Sequence, residues 1–242
     1  MRPDCNTPVI GQPWERRDRP EMIYAHLGRL GGGKVLSLGC GNGYVEATLA
    51  AKDPRFYFRC VDKNPHEISF AQGYWKPKGI ENIGFEVGNN EEVADENLSS
   101  VIKMRTPGGG LMRPVSFLRK GGLLFYEGIA QWNDQSCPQW SEIFPPDMDN
   151  RDESHLAVRR EEAISAGTRL VEERKFYSVK FYEPNEMPDL MEQFFSYRNF
   201  TVEDFQKLLC KTLKKWHRWL GTDSPEFYPL GYVHTWNVFE KI

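Results

Sequence analysis

Short apolar runs alternate with amphipathic stretches along the first half of the chain, which is the pattern of a β/α protein. Apolar runs at residues 34–38, 56–61, 83–87, 101–104 and 123–129 predict five buried strands. The intervening stretches 44–50, 65–78 and 114–119 have helical composition. Strands that alternate with helices in this way predict a parallel sheet with helices on both faces.

The second half of the chain has a less regular pattern. Residues 175–182 alternate as a strand does, residues 201–220 predict a helix that begins at Thr201, and residues 233–241 predict a closing strand. Together the strands predict a seven-stranded, mostly parallel sheet with an antiparallel last strand. We expect a single domain over residues 1–242, with an N-terminal arm or lid at 1–30 and a lid insertion at about 131–173.

The stretch that organises the chain follows the first predicted strand. Gly39-Cys40-Gly41-Asn42-Gly43 predicts a tight turn between that strand and a helix. Glycine is needed where the backbone bends sharply and approaches a ligand, because a Cβ would collide there. The helix that follows directs unpaired N–H groups into the same crevice. Such a turn binds a nucleotide-like cofactor, or it is a glycine-rich connection that binds nothing.

The spacing of the glycines separates two cofactor classes. A dinucleotide site requires G-x-G-x-x-G with a small third residue, and the large Tyr44 occupies that position here. The observed G-x-G-x-G resembles the first motif of class I S-adenosylmethionine (SAM) methyltransferases. The resemblance implies a Rossmann-like fold and SAM as the cofactor. The residues of this segment assigned to the cofactor site are Ser37, Gly39, Cys40, Gly41 and Gly43.

A carboxylate follows the second predicted strand at a distance that suits a ribose. Asp62 comes 19 residues after Gly43, at the carboxyl end of the strand. There it can accept hydrogen bonds from both hydroxyl groups of a ribose. The neighbouring Lys63 is included in the predicted cofactor site. The alternative is a solvated aspartate in the turn before Asn64.

Two further segments are expected beside the cofactor. Asn89 and Asn90 follow the third predicted strand and can hydrogen-bond an adenine amino group, although Asn is also a common turn residue. Lys103, at the end of the fourth predicted strand, is also assigned to the cofactor site.

By resemblance to class I methyltransferases, the helix predicted over 21–30 covers the cofactor. Tyr24 and His26 are therefore candidates for catalysis, and a satisfied core or surface histidine is the simpler interpretation of His26.

The C-terminal third resembles the trans-aconitate methyltransferase-like family of small-molecule methyltransferases. That family carries Thr-Trp-Ser-x-x-His-x-Trp on a helix and Trp-Asn-x-Phe-x-Lys on its last strand. The residues that match these two patterns are Thr212, His217 and Trp219, then Trp236, Asn237, Phe239 and Lys241. The similarity covers about residues 34–242 and is patchy between 101 and 175. It implies methyl transfer to a small molecule, with a carboxylate as one acceptor.

Two departures from that family concern cofactor and substrate binding. Ser37 occupies the position of an acidic residue that helps to orient the methionyl ammonium group, so this contact is weakened or replaced. The aromatic–His element after the fourth strand is replaced by a cationic loop that contains Gly108-Gly109-Gly110. These departures motivate a second hypothesis, in which the fold serves as a non-methylating catalyst or as a binding module.

The acceptor of the methyl group is expected to be an oxygen, nitrogen or sulfur atom of a small molecule. A carboxylate acceptor requires a cationic cradle and no general base, whereas a protonated acceptor requires a base. The candidates for substrate contacts are Arg105, Arg113, Trp132 and Arg198, and His217 is the third catalytic candidate. Each arginine is also interpretable as an ordinary surface charge.

Composition narrows the functional classes. The net charge of −3 and the pI near 6.0 argue against an extended nucleic-acid surface. The basic stretch 211–219 is the reason to consider the hypothesis of an RNA methyltransferase. A solvated helix face explains these basic residues more simply. We expect no membrane span and no secretory signal. The five scattered cysteines favour neither a metal site nor a disulfide framework, which predicts a reducing, cytoplasmic location. Neither the acceptor nor the oligomeric state follows from the sequence.

Overall fold

Helices and strands alternate along the chain in the computed structural model, which describes residues 18–104, 110–131, 153–182, 184–186 and 228–242 and scattered positions between 203 and 221. The elements in chain order are α1 (Asp18–Leu27), β1 (Gly33–Leu38), α2 (Tyr44–Lys52), β2 (Phe56–Asp62), α3 (Pro65–Trp75), β3 (Ile83–Val87), β4 (Leu98–Met104), α4 (Met112–Ser116), β5 (Leu118–Gln131), α5 (Glu153–Ser165), β6 (Thr168–Tyr182) and β7 (Tyr228–Lys241). Single 3₁₀ turns follow α3 at Lys76–Lys78 and β6 at Pro184–Glu186.

The seven strands form one sheet in the order β3-β2-β1-β4-β5-β7-β6. Strand β1 pairs in parallel with β2 and β4, β2 pairs in parallel with β3, and β4 pairs in parallel with β5. The last strand, β7, is antiparallel. This confirms the predicted seven-stranded, mostly parallel sheet. The chain order reverses between β1 and β4, and open sheets bind ligands at the carboxyl ends of strands beside such a switch.

The sheet is covered by helices on both faces, so its central strands are apolar on both sides. On one face, Phe125 of β5 belongs to a buried cluster with Ile23 of α1 and Leu49 of α2. On the other face, Leu124 belongs to a cluster with Ala163 of α5. Successive residues of one strand therefore point to different helical layers.

Several strands begin earlier than the apolar runs predict. Strand β4 begins at Leu98, β5 at Leu118 and β6 at Thr168, whereas the predicted starts are 101, 123 and 175. Strand pairing is made by the backbone and continues into segments whose side chains are polar. Residues 118–119 therefore lie in a strand, not in the predicted helix 114–119. Likewise, residues 168–173 belong to the sheet and not to the predicted insertion.

Contacts divide the chain into two compact units. The sheet unit comprises Trp14–Ile129, Ser154–Phe176 and His234–Ile242, and the second unit comprises Met1–Pro13, Ala130–Glu153 and Tyr177–Val233. The side-chain contacts described below lie within the sheet unit. The single domain with an N-terminal arm and a lid insertion stays a prediction, because residues 1–17 and 132–152 lie outside the described residues.

Candidate functional site

The glycine turn connects β1 to α2 at the carboxyl edge of the sheet. Gly39, Gly41 and Gly43 have positive φ angles of 79°, 54° and 70°, a conformation that other residues rarely adopt. At Gly43 a Cβ would also lie 2.3 Å from Cε1 of Phe85. At Gly41 the nearest described atom to a Cβ would be Oε2 of Glu67, at 3.9 Å, so the turn leaves space on that side.

Asp62, at the end of β2, braces the glycine turn. Its Oδ2 accepts a hydrogen bond from the Gly41 N–H at 2.8 Å, and its Oδ1 accepts one from the Asn64 N–H at 2.9 Å. Trp75 of α3 holds the turn from the other side, because its Nε1 donates to the carbonyl oxygen of Asn42 at 2.7 Å. Each carboxylate oxygen has a second lone pair, so Asp62 retains acceptor capacity for a ribose. Sequence reasoning identified Asp62 as a ligand candidate and missed its role in the turn.

The loop after β3 distinguishes the two asparagine candidates. Asn89 is exposed; its Oδ1 accepts from the Glu91 N–H at 3.1 Å and its Nδ2 donates to Glu92 at 3.0 Å. The Oδ1 of Asn90 is buried and has no hydrogen-bond partner among the described residues. A buried acceptor without a donor is costly, so a ligand donor that reaches it is stabilising. Asn90 is therefore the better match to the predicted adenine contact.

A hydrogen bond joins β1 to α2 behind the glycine turn. The Oγ of Ser37 donates to Oε1 of Glu46 at 2.6 Å, and these residues are only 2% and 1% exposed. Glu46 is the third residue of α2, and side chains on a helix lean toward its N-terminus, where the helix dipole stabilises negative charge. Sequence reasoning included Ser37 and missed Glu46. An acidic residue in the first turn of the helix was the signal that could have found it.

Two thiols lie beside this hydrogen bond. Cys40, inside the turn, and Cys60 of β2 are both buried, and Ser37 and Cys60 face each other in the β1–β2 register. Burial raises the pKa of Cys60 well above its ordinary value, and the hydrogen bond with Cys40 and the charge of Glu46 add to this effect. Cys60 is therefore a neutral thiol at pH 7.

The two predicted lysines differ in their surroundings. Lys63 is exposed beside Asp62, whereas Lys103 is buried near the carboxyl end of β4. Burial lowers the pKa of Lys103, the positive charge of Arg159 lowers it further, and the negative charges of Glu91 and Glu162 oppose the shift. Lys103 follows Ile102 in the strand and therefore faces the layer of α4 and α5.

Helix α1 does not bring its two catalytic candidates to the glycine turn. The hydroxyl of Tyr24 donates to Oδ2 of Asp53 at 3.4 Å. Asp53 precedes β2, so Tyr24 lies at the edge of the sheet opposite the turn. Nε2 of His26 contacts the carboxylate of Glu172 in β6. The third candidate, His217, is a helical residue of the second unit.

A buried charged cluster that sequence reasoning missed lies near the carboxyl end of β5. Arg19 of α1 donates from Nε and Nη2 to the two carboxylate oxygens of Glu127, at 2.7 and 2.8 Å. Nδ1 of His234 in β7 lies 3.1 Å from Oε1 of Glu127. Burial alone would raise the pKa of Glu127, but the hydrogen bond with His234 and the positive charge of Arg19 outweigh it and lower the pKa below its ordinary value. The cluster fastens α1 to the sheet.

The substrate candidates fall largely outside the described residues. Arg105, Trp132 and Arg198 lie outside them, whereas Arg113 begins α4 with Met112. The Nη2 of Arg113 donates to the carbonyl oxygen of Val93 at 2.8 Å. This bond fastens α4 to the loop before β4, and a contact between Arg113 and an acceptor stays a prediction.

The described part of the chain contains neither a cluster of metal ligands nor a membrane-spanning helix. There, no group of three or more His, Cys, Asp or Glu side chains is arranged to hold a metal ion. Within the same residues, no helix combines the length and the apolar character that crossing a membrane requires.

A family model matches the region that contains the glycine turn. Residues 20–103, from α1 to the end of β4, match the model described as the methyltransferase small domain. No curated protein sequence matches the chain significantly.

Solved structures share the fold over nearly the whole chain. A proposed methyltransferase from Bacillus halodurans C-125 is 17% identical with a TM-score of 0.61, over 93% of this chain and 99% of that one. A SAM-dependent methyltransferase from Geobacter sulfurreducens, in complex with S-adenosyl-L-homocysteine, is 13% identical with a TM-score of 0.56, over 99% and 96%. The [4+2]-cyclase SpnF is 13% identical with a TM-score of 0.57, over 95% and 83%.

Similarity at these identities shows the fold, which is that of the class I methyltransferases. Together with the family match, it supports the sequence-based prediction of a SAM-dependent methyltransferase. The narrower resemblance to the trans-aconitate methyltransferase-like family stays a prediction.

Proposed function

We propose that the protein binds SAM over the glycine turn and transfers its methyl group to a small molecule. The observation that carries the proposal is the turn itself, which lies at the switch point of the sheet with the carboxylate of Asp62 hydrogen-bonded to Gly41. Three positive φ angles hold the backbone in a shape that a ligand can approach closely.

The residues around the turn fit this cofactor. Asp62 offers a carboxylate to the ribose hydroxyls, and the buried Oδ1 of Asn90 offers an acceptor to the adenine amino group. Gly41 leaves the space that a Cβ would fill. These three features together match a nucleoside better than a bare structural turn.

The chemistry requires positioning more than acid–base groups. Bound SAM supplies a methyl group on a positively charged sulfur. The chain has to hold the acceptor in line with that methyl group and to keep water away. The Arg19–Glu127 ion pair fastens helix α1 to β5, and α1 is the proposed wall of the acceptor pocket. Because Arg19 is already paired with Glu127, a carboxylate acceptor would need a different cation, for which Arg113 remains the described candidate.

Titration calorimetry with SAM tests the proposed binding site. We expect Asp62→Ala to weaken SAM binding by about 1.5–3 kcal/mol, the range for hydrogen bonds to a charged group. Asp53→Ala is the matched control, because Asp53 also accepts a hydrogen bond from the backbone N–H two residues on, Arg55, at the opposite edge of the sheet. The control should lower the melting temperature without changing SAM affinity. Equal SAM affinity in wild type and Asp62→Ala would show that the ribose lies elsewhere.

A second candidate function is catalysis without methyl transfer. The fold is shared with a [4+2]-cyclase, SpnF, and fold alone does not determine the reaction. Metabolite extracts incubated with the protein and methyl-labelled SAM separate the two functions. Label in a small-molecule product supports methyl transfer, whereas SAM binding with no labelled product favours the second function. Label in an RNA fraction would instead indicate an RNA substrate.

A further inference from the structure

A pair of buried thiols connects the glycine turn to the neighbouring strand. Cys40 belongs to the turn, Cys60 belongs to β2, and both are free cysteines in the same buried cluster. The turn is held against β2 at this point, because the N–H of Cys40 donates to the carbonyl oxygen of Val61 at 3.2 Å. Val61 is the residue after Cys60, and the two thiols are themselves hydrogen-bonded.

The hydrogen bonds of the two thiols run in one direction. Burial raises the pKa of Cys60 most, and the hydrogen bond with Cys40 raises it further, which is the effect expected when Cys60 is the donor. The Sγ of Cys40 in turn donates to the carbonyl oxygen of Gly41 at 3.5 Å. Cys40 therefore supplies the turn with an S–H donor, and a disulfide would remove it.

The two cysteines differ in how firmly their backbone is held. Cys60 lies in a strand that is paired on both sides, with β1 and with β3. Cys40 instead lies between Gly39 and Gly41, which both have positive φ angles. A covalent bond between two sulfur atoms is about 2 Å long and requires a closer approach than a hydrogen bond does. The movement that forms such a bond therefore falls on the glycine turn and not on β2.

We propose that Cys40 and Cys60 form a reversible disulfide that lowers the affinity of the glycine turn for its cofactor. The disulfide itself does not depend on the proposed function, whereas its effect on SAM binding rests on it. The oxidant is a hydroperoxide. Cys40 is 8% exposed and Cys60 is 0% exposed, so Cys40 is the thiol that meets the oxidant.

The oxidation takes place in two balanced steps. In the first step the O–O bond of the hydroperoxide breaks, one oxygen passes to the sulfur of Cys40 to give a sulfenic acid, and the other leaves as an alcohol, or as water from hydrogen peroxide. In the second step the sulfur of Cys60 displaces the sulfenic hydroxyl group, which leaves as water with the thiol proton. Two thiols thus become one disulfide, and one peroxide is reduced. A dithiol reverses the change by thiol–disulfide exchange.

Peptide mapping of the full-length, natively folded protein tests the covalent step. Trypsin cleaves after Lys34, Lys52, Arg59 and Lys63, and therefore places the two cysteines in separate peptides, 35–52 and 60–63. We expect hydrogen peroxide to link these two peptides and dithiothreitol to release them. Cys210→Ser is the matched control, because it removes an exposed thiol and should leave the link in place. Oxidation of Cys40 without this link would overturn the inference.

Titration calorimetry with SAM tests the effect on the cofactor. We expect the oxidised wild-type protein to bind SAM roughly 10-fold more weakly than the reduced protein, because strain at one residue of a binding turn has an effect of this order. Dithiothreitol should restore the affinity. Cys60→Ser cannot form the disulfide and should bind SAM equally well before and after hydrogen peroxide. Cys60→Ala serves the same purpose if the buried hydroxyl group prevents folding.

Two results of this calorimetry would contradict the inference. One is unchanged SAM affinity in wild-type protein whose disulfide is confirmed by peptide mapping. The other is an equal loss of affinity in the Cys60 variants, which would show that oxidation of Cys40 alone is sufficient. If the reduced wild-type protein does not bind SAM, it is the proposed function that fails, and the peptide link still decides whether the disulfide forms.

Discussion

Glu127→Gln is expected to destabilise the protein strongly, because it removes the buried carboxylate with which the guanidinium of Arg19 pairs. In the wild-type protein the side chain of Glu127 is 0% exposed and that of Arg19 is 5% exposed. Arg19 donates hydrogen bonds from Nε and Nη2 to this carboxylate. Removal of one member of a buried ion pair costs about 3–5 kcal/mol of unfolding free energy.

Removal of both charges is expected to cost less than removal of either one. In the double variant Arg19→Met, Glu127→Leu, no ion of the pair has to be taken out of water, and the apolar side chains occupy a similar volume. Arg19→Met alone leaves the Glu127 carboxylate buried with His234, and should therefore be less stable than the double variant. This order of stabilities separates the free-energy cost of burying charge from the contribution that the packing of α1 makes to stability.

The contribution of Glu127 to stability depends on pH in a defined direction. Burial raises the pKa of Glu127, but the hydrogen bond from His234 and the charge of Arg19 outweigh burial and lower the pKa below its ordinary value of 4.5. Around that pH the unfolded chain binds more protons than the folded one. The stabilisation is fully present above the unfolded pKa and is lost as the pH falls through the folded pKa. The difference between wild type and Glu127→Gln should therefore shrink in acid.

Urea unfolding followed by tryptophan fluorescence measures these differences at pH 7 and in acid. Glu240→Gln is the matched control, because Glu240 pairs with Arg169 at 2.8 Å on the surface, where an ion pair contributes about 0–1 kcal/mol. The reasoning is refuted if Glu127→Gln costs less than about 1 kcal/mol at pH 7. It is equally refuted if the double variant is less stable than both single variants.

Two further predictions concern the glycine turn and the loop after β3. Gly43→Ala should cost about 1–3 kcal/mol more than Gly79→Ala, because both have positive φ but only Gly43 brings a Cβ against Phe85; equal losses in urea unfolding would contradict this. Asn90→Ala should weaken SAM binding by about 0.5–1.5 kcal/mol without lowering the melting temperature, since it removes an unsatisfied buried oxygen. Asn89→Ala should leave SAM affinity unchanged, and an affinity loss confined to Asn89→Ala would reverse the assignment.

The sequence by itself determined the order of strands and helices and the glycine turn. Apolar runs separated by helical stretches are a local property, because a strand buried on both faces must be apolar along its length. The positive φ angles at Gly39, Gly41 and Gly43 are also a local demand of a sharp turn. The position of Asp62 at the end of β2 followed from the same pattern.

Only the tertiary structure decided which polar groups meet. Arg19 and Glu127 are 108 residues apart, and no local sequence pattern around either residue predicts that they pair. Ser37 and Glu46 are close in sequence, yet their bond requires α2 to pack back on β1. The choice of Asn90 over Asn89 depends on which amide the fold buries. Periodicity along the chain indicates which faces of the helices and strands are apolar. The pairing of buried charges and polar atoms instead depends on contacts between elements that are distant in the sequence.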